Sequence, residues 1–161
     1  MSAFVLTSAT VLVGGAWTGT APGTSAAASG TITTATDISS MITSVEVSLN
    51  WDEVDYTNFA SGGWREVTSG LAAGNISLTF NDSYAATNSD ALFGLGGTFG
   101  PGVQPIYIDV KPTSAARSST NPSYVALVRN FGGTMLGGSV GALATKSLTL
   151  RLSGRPNRLT S

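Results

Sequence analysis

Two runs of strict alternation dominate the middle of the chain. Val45, Val47, Leu49 and Trp51 are interleaved with Glu46, Ser48, Asn50 and Asp52, and further on Ile76, Leu78 and Phe80 are interleaved with Ser77, Thr79 and Asn81. Successive side chains of a strand point to opposite faces, so each run predicts a strand with one apolar and one wet face. Between them lies turn chemistry: Asn58 to Gly63 reverses the chain, Trp64 to Thr68 starts the return, and Gly70 interrupts it. The stretch from Asp37 to Tyr84 is therefore expected to be a long hairpin. It carries no reactive constellation, and its expected role is to make contacts with copies of itself.

The flanking sequence reads mostly as further strands. Phe4 to Val13 is β-branched and apolar, and Ile106, Ile108 and Val110 alternate with Tyr107, Asp109 and Lys111. Ser123 to Phe131 has apolar residues at both parities, which predicts a strand covered on both sides, and Leu148, Leu150 and Leu152 alternate with Thr149, Arg151 and Ser153. Asn88 or Ser89 suits a helix N-cap, with Asp90 in the first turn where negative charge favours the dipole. Leu92, Phe93 and Leu95 are then expected in the core, and Gly96-Gly97 stops the helix. Residues 16–36 are uncharged Gly, Ala, Ser and Thr for the most part. They are expected to form a long loop lying against a neighbouring subunit.

The fold class expected is mainly β: an antiparallel sandwich or barrel of about seven strands with one short flanking helix. One domain, 1–161, is expected, with a long loop at 14–36 and a basic C-terminal tail at 154–161.

Composition narrows the chemistry. The chain has no cysteine and no histidine, which removes disulfides, thiolate and imidazole metal sites and every Ser-His or Cys-His nucleophile. No cofactor or metal site and no enzymatic activity are expected. The only close acid pairs are Asp52/Glu53 and Glu53/Asp55; the second could share a strand face, and it is the sole basis for a hydrolase reading. Aromatics make up 8% and are scattered, which gives a carbohydrate-binding or adhesin-like sandwich little support.

Charged residues are only 11% of the chain and mean hydropathy is +0.20, against about a quarter charged in ordinary soluble domains. Such a surface is cheap to desolvate, so burial against partners and a secreted Ser/Thr-rich surface are both open readings. The charge is unevenly spread: residues 1–110 hold all nine acids and one base, Arg65, whereas residues 111–161 hold the remaining bases and no acid. Either the halves neutralise each other within one fold, or a dipolar subunit associates head to tail. The apolar N-terminus lacks preceding Lys or Arg and is broken by Thr7, Ser8 and Thr10, so it is expected to be a strand and not a signal peptide. No run reaches the roughly 18 apolar residues of a membrane helix, and no membrane insertion is expected.

The ordered set of Asp37-Ile38-Ser39, Trp51 to Asp55, Phe59-Ala60-Ser61-Gly62-Gly63-Trp64-Arg65-Glu66, Gly70-Leu71 and Phe80-Asn81 resembles the major tail tube proteins of long-tailed, siphovirus-type bacteriophages. Gly137-Gly138-Ser139-Val140-Gly141-Ala142-Leu143-Ala144-Thr145 before a last strand fits the same pattern. The resemblance covers most of Phe4 to Leu152.

It implies a structural virion protein of the phage tail, assembled in the host cytoplasm as hexameric rings. These stack around a channel for the tape-measure protein and for double-stranded DNA on ejection, with further partners at the tail end and the head-proximal end. The alternative is another virion part, a capsid decoration or head-tail connector protein. A wall past which duplex DNA slides should not hold phosphates, so Glu46, Ser48, Asn50 and Asp52 are the candidate lumen-facing residues. Phe59, Gly62, Gly63, Trp64, Arg65, Arg151 and Arg155 are the candidate inter-subunit contacts.

Overall fold

The computed structural model describes residues 8–23, 27–81, 89–134 and 139–161. Among them are ten strands and one α-helix: β1 (Thr10–Gly14), β2 (Ala16–Thr18), β3 (Thr31–Thr33), β4 (Thr36–Asp37), β5 (Ile42–Asp55), β6 (Val67–Asn81), α1 (Ser89–Phe93), β7 (Ile106–Lys111), β8 (Ser123–Gly133), β9 (Thr145–Leu152) and β10 (Asn157–Leu159). The main sheet runs β4-β1-β7-β8-β9-β6-β5, β10 extends it along β8, and β2 and β3 form a separate hairpin. Every ladder is antiparallel. The mainly β architecture expected from alternation is the one observed. The strands missing from the expected count are those of two or three residues, too short to display a period.

The alternating residues meet in one core. Val11 and Val13 of β1, Ile106 and Ile108 of β7, Ile76, Leu78 and Phe80 of β6 and Leu148 and Leu150 of β9 are buried in a single cluster. Strands from both ends of the sheet share that cluster, so the sheet curls around it. Val125, Ala126 and Val128 of β8 are all buried, which is the two-sided cover expected there. Each such side chain withdrawn from water contributes about 1.5–3 kcal/mol before ordering entropy is subtracted.

Helix α1 closes the open side of the core. The Phe93 ring lies 5.5 Å from Phe80 and 6.1 Å from Phe99, centroid to centroid, and Leu92 is buried with them. Leu95 departs from expectation: the helix ends at Phe93 and Leu95, in the turn that follows, is 82% exposed. Asn88 and the Gly137-Gly138 pair lie outside the described residues.

The stretch 14–36 also departs from expectation. In place of a loop, its described residues form the β2–β3 hairpin and pack on their own domain. The Trp17 ring lies 5.7 Å from that of Tyr107, Ile32 and Pro22 are buried, and Arg117 donates to the Gly30 carbonyl at 2.7 Å. Residues this small close a ladder through backbone alone, with Trp17 and Ile32 supplying the apolar contact. The C-terminal tail likewise ends in a strand, Asn157–Leu159 on β8, and is only in part a free basic extension. No helix among the described residues is long and apolar enough to cross a membrane.

Candidate assembly surface

The hairpin of β5 and β6 is longer than the sheet that supports it. β9 pairs with β6 only from Asn75 to Asn81, whereas β5 pairs with β6 onward to Asp55 and Val67. From Leu49 outward the two strands therefore run alone for about 20 Å, at about 3.4 Å per residue. Val45 and Val47 pack against the core as the apolar face predicts. Leu49 and Trp51, on the same face, lie beyond the end of the core and are 40% and 59% exposed.

The tip is ordered by its own hydrogen bonds. Asn58 accepts from the Ala60 amide through Oδ1 at 2.8 Å and from the Ser61 amide through its carbonyl at 3.0 Å. Gly62 and Gly63 take positive φ, 63° and 87°, the left-handed conformation that favours glycine. Asp55 accepts from the Thr57 amide at 2.9 Å and from Arg65 Nε at 3.0 Å, and Glu53 pairs with the same guanidinium. Thr57, by its side chain first and its backbone N–H second, and then Arg65 hold the Asp55 carboxyl below its ordinary value. Glu53 and Asp55 do share a face, as the spacing allowed, and a single exposed arginine occupies the gap between them.

On this well-formed tip the large apolar side chains point away from the chain's own core. Trp64 is 81% exposed and Phe59 fully so, so neither covers the chain's own core. Tyr56, Val54, Val67 and Leu71 are exposed along the same arm. Of the expected contact residues, Phe59, Gly62, Gly63, Trp64 and Arg65 are brought together here. Arg151 and Arg155 do not join them. Arg155 lines a groove at the base of the arm with Leu49, Trp51, Gly74 and Leu152, and Arg151 stands on the outer face of β9.

That outer face is where the candidate lumen residues lie. Register runs straight across four strands, Ser48 on β5 opposite Asn75 on β6, Asn75 opposite Arg151 on β9, and Arg151 opposite Arg129 on β8. One row along, Glu46 faces Ser77 and Ser77 faces Thr149. The face is thus built of hydroxyl and amide side chains with acids toward the β5 edge and arginines toward β8. Sequence reasoning missed Arg129 here, and it assigned Arg151 a contact role without placing it on this face. Strand pairing order, which alternation does not encode, is what brings them together.

Two ion pairs between the halves of the chain show how far the charge asymmetry is settled internally. Arg117 pairs with buried Asp109 at 2.7 Å and Lys146 with Asp90 at 3.0 Å, in each case a base from the second half with an acid from the first. Among the described residues Glu46, Asp52, Arg129, Arg151 and Arg155 form no ion pair, so internal neutralisation is incomplete. No group of His, Cys, Asp and Glu among the described residues is arranged to hold a metal ion.

No protein-family model and no curated protein sequence matches the chain. Solved structures do. A chain in the virion of a native gene transfer agent particle is 19% identical with a TM-score of 0.54, over 73% of this chain and 84% of that one. A chain in the tail of an empty gene transfer agent particle with C6 symmetry is likewise 19% identical at a TM-score of 0.54, over 73% of this chain and 81% of that one. At this identity the likeness is one of fold: the mainly antiparallel β architecture is shared with a chain of a gene transfer agent tail.

Proposed function

We propose that this protein is a structural subunit of a phage-type tail, the major tube protein, whose copies close into rings that stack around a channel. The observation that carries the reading is the arm. A two-stranded hairpin unsupported by a third strand is marginal in water, and this one exposes two tryptophans, a phenylalanine and a tyrosine while its tip is held by its own turn hydrogen bonds. Preformed backbone with an unpaid apolar surface fits an obligate partner, and buried aromatics are the usual anchors of such contacts. The likeness in fold to a chain of a C6-symmetric tail supports six copies per ring and a place in the virion tail.

Sheet geometry fits closure. β8, β9, β6 and β5 alternate in direction, so β5 of one copy runs antiparallel to β8 of the next when the four-stranded faces are placed side by side. The free β5 edge is then covered, which removes a site of wrong pairing. The polar outer face turns inward as the wall of the channel, and the arm reaches along the tube to the adjacent ring. Double-stranded DNA and the tape-measure protein pass along that wall without specific binding, and other tail proteins cap its ends.

The test is Trp64→Ala followed by electron microscopy of the purified protein. The proposal expects rings or short stacks in place of long tubes, with unfolding unchanged in the monomer because Trp64 touches none of its own core. Tubes of normal length and heat stability count against the arm as the inter-ring contact.

A further inference from the structure

We propose that the outer-face arginine pair of Arg129 and Arg151 is neutralised at Arg129 by the acidic residues of a neighbouring copy's β5, Glu46 and Asp52, forming a charged seam between adjacent subunits of one ring. The inference rests on the proposed ring.

Arg129 and Arg151 are direct cross-strand partners, an arrangement of like charges that costs stability unless something offsets it. Among the described residues nothing charged does. Arg129 donates to Ser153 Oγ at 3.0 Å and to the Gln104 side chain, both neutral, and Arg151 lies over the Phe131 ring at 5.8 Å. Glu46 and Asp52 are exposed on the same outer face and equally unpaired among the described residues, but in their own chain they lie two strands from Arg151, across β6, and three strands from Arg129, across β6 and β9. The spacing between hydrogen-bonded strands is about 4.8 Å, and neither acid reaches the arginines in its own chain.

A second copy supplies what the first lacks. β5 is the outermost strand on one side of the sheet. On the other side, the β7 ladder stops at Val128, and beyond it one long hydrogen bond of 3.4 Å, from the Gly102 amide to the Asn130 carbonyl, meets that edge of β8. Setting β5 of one copy against this half of β8 in the next puts the acids one strand from Arg129 on one continuous face, with Arg151 one strand further in. The pairing also answers a requirement of the channel. Bare arginines would hold phosphates by counterion release, whereas arginines closed against carboxylates leave the wall close to neutral.

The experiment uses two variants of the full chain, Glu46→Lys/Asp52→Lys and Arg129→Glu/Arg151→Glu, and their mixture. Circular dichroism and thermal unfolding first establish that each is folded; if either is not, the neutral pair Glu46→Gln/Asp52→Gln and Arg129→Gln/Arg151→Gln takes its place, read by assembly against salt. Wild type forming rings supports the parent proposal by itself, and wild type failing to form any ring sinks that proposal and the seam with it. Given wild-type rings, each charge-reversed variant alone needs at least tenfold higher concentration to assemble, while an equimolar mixture assembles near the wild-type threshold, because alternating copies oppose lysine to glutamate at one seam and the native acids to the native arginines at the next. Recovery only when all four changes are placed in one chain, with no recovery in the mixture, places the pairing within a subunit and overturns the inference. Unchanged assembly of the single variants overturns it as well. For the neutral pairs, the expected result is weaker assembly that no longer varies between low and high salt, and an unaltered salt dependence contradicts the seam.

Discussion

Lys146 Nζ donates to Asp90 Oδ1 across 3.0 Å, tying β9 to the first turn of the helix that closes the core. The lysine side chain is 5% exposed and the aspartate 45%, so the ammonium has been taken out of water and the carboxylate only half so.

Removing the exposed partner should therefore cost more than the pair itself contributes. Asp90→Ala leaves a buried ammonium with no counter-charge. The loss expected is about 1–3 kcal/mol, below the figure for a fully buried pair because water reaches the Asp90 side. Lys146→Met, which fills the same space without a charge, is expected to unfold within about 1 kcal/mol of wild type. Urea unfolding of both variants checks the ordering; Lys146→Met falling further than Asp90→Ala would contradict it.

The core was legible in the sequence because it is periodic. Ile76, Leu78 and Phe80, and Leu148 and Leu150, are buried where alternation put them. Other features depend on contacts that no local pattern encodes. Buried Asn130 donates to the Phe93 and Phe99 carbonyls at 3.3 and 2.9 Å and accepts from the Gly132 amide at 2.8 Å, stitching β8 to the turns after α1; in sequence it is one polar residue in an apolar strand. The 14–36 stretch was misread for a related reason, since a hairpin of Thr, Ala and Gly has almost no apolar period. The arm was visible as a hairpin, but its independence from the sheet follows from β9 ending at Leu152, a tertiary fact. Exposure of Leu49, Trp51 and Trp64 then follows from that length mismatch.

Gly74 sits where the arm leaves the sheet, and there is no room beside it. A Cβ at this position would meet the Ser48 carbonyl oxygen at 2.5 Å and the ends of Leu152 and Leu49 at 2.7 and 2.9 Å. The carbonyl belongs to the partner strand and cannot rotate away. Gly74→Ala is expected to destabilise the monomer by about 1–3 kcal/mol through overpacking, with faster amide exchange concentrated on the arm beyond it. Hydrogen exchange followed residue by residue reads both, and uniform protection identical to wild type contradicts the prediction.

The arm tip should also lose order in acid. Asp55 has its folded-state pKa lowered by Thr57 and Arg65 from an ordinary 3.8. A depressed carboxylate contributes stability that is complete above its unfolded value and is lost as pH falls through the folded one. Tip order is expected to be constant from neutral pH down to about the ordinary carboxylate value and to decline below it. Asp55→Asn should abolish that decline. The Thr57 amide resonance followed through an acid titration reads the transition directly, and a tip that melts near neutral pH contradicts this assignment.

The account depends on copies of this chain covering one another's arms and edges. Cryo-electron microscopy of the purified full chain, at concentrations where it remains soluble, measures that directly. Stacked rings with the Ser48-Asn75-Arg151-Arg129 row facing the channel and Trp64 buried against the next ring are the predicted result. A monodisperse 16.3 kDa species with the arm free in solution at every concentration, or rings in which that row faces outward, would contradict it.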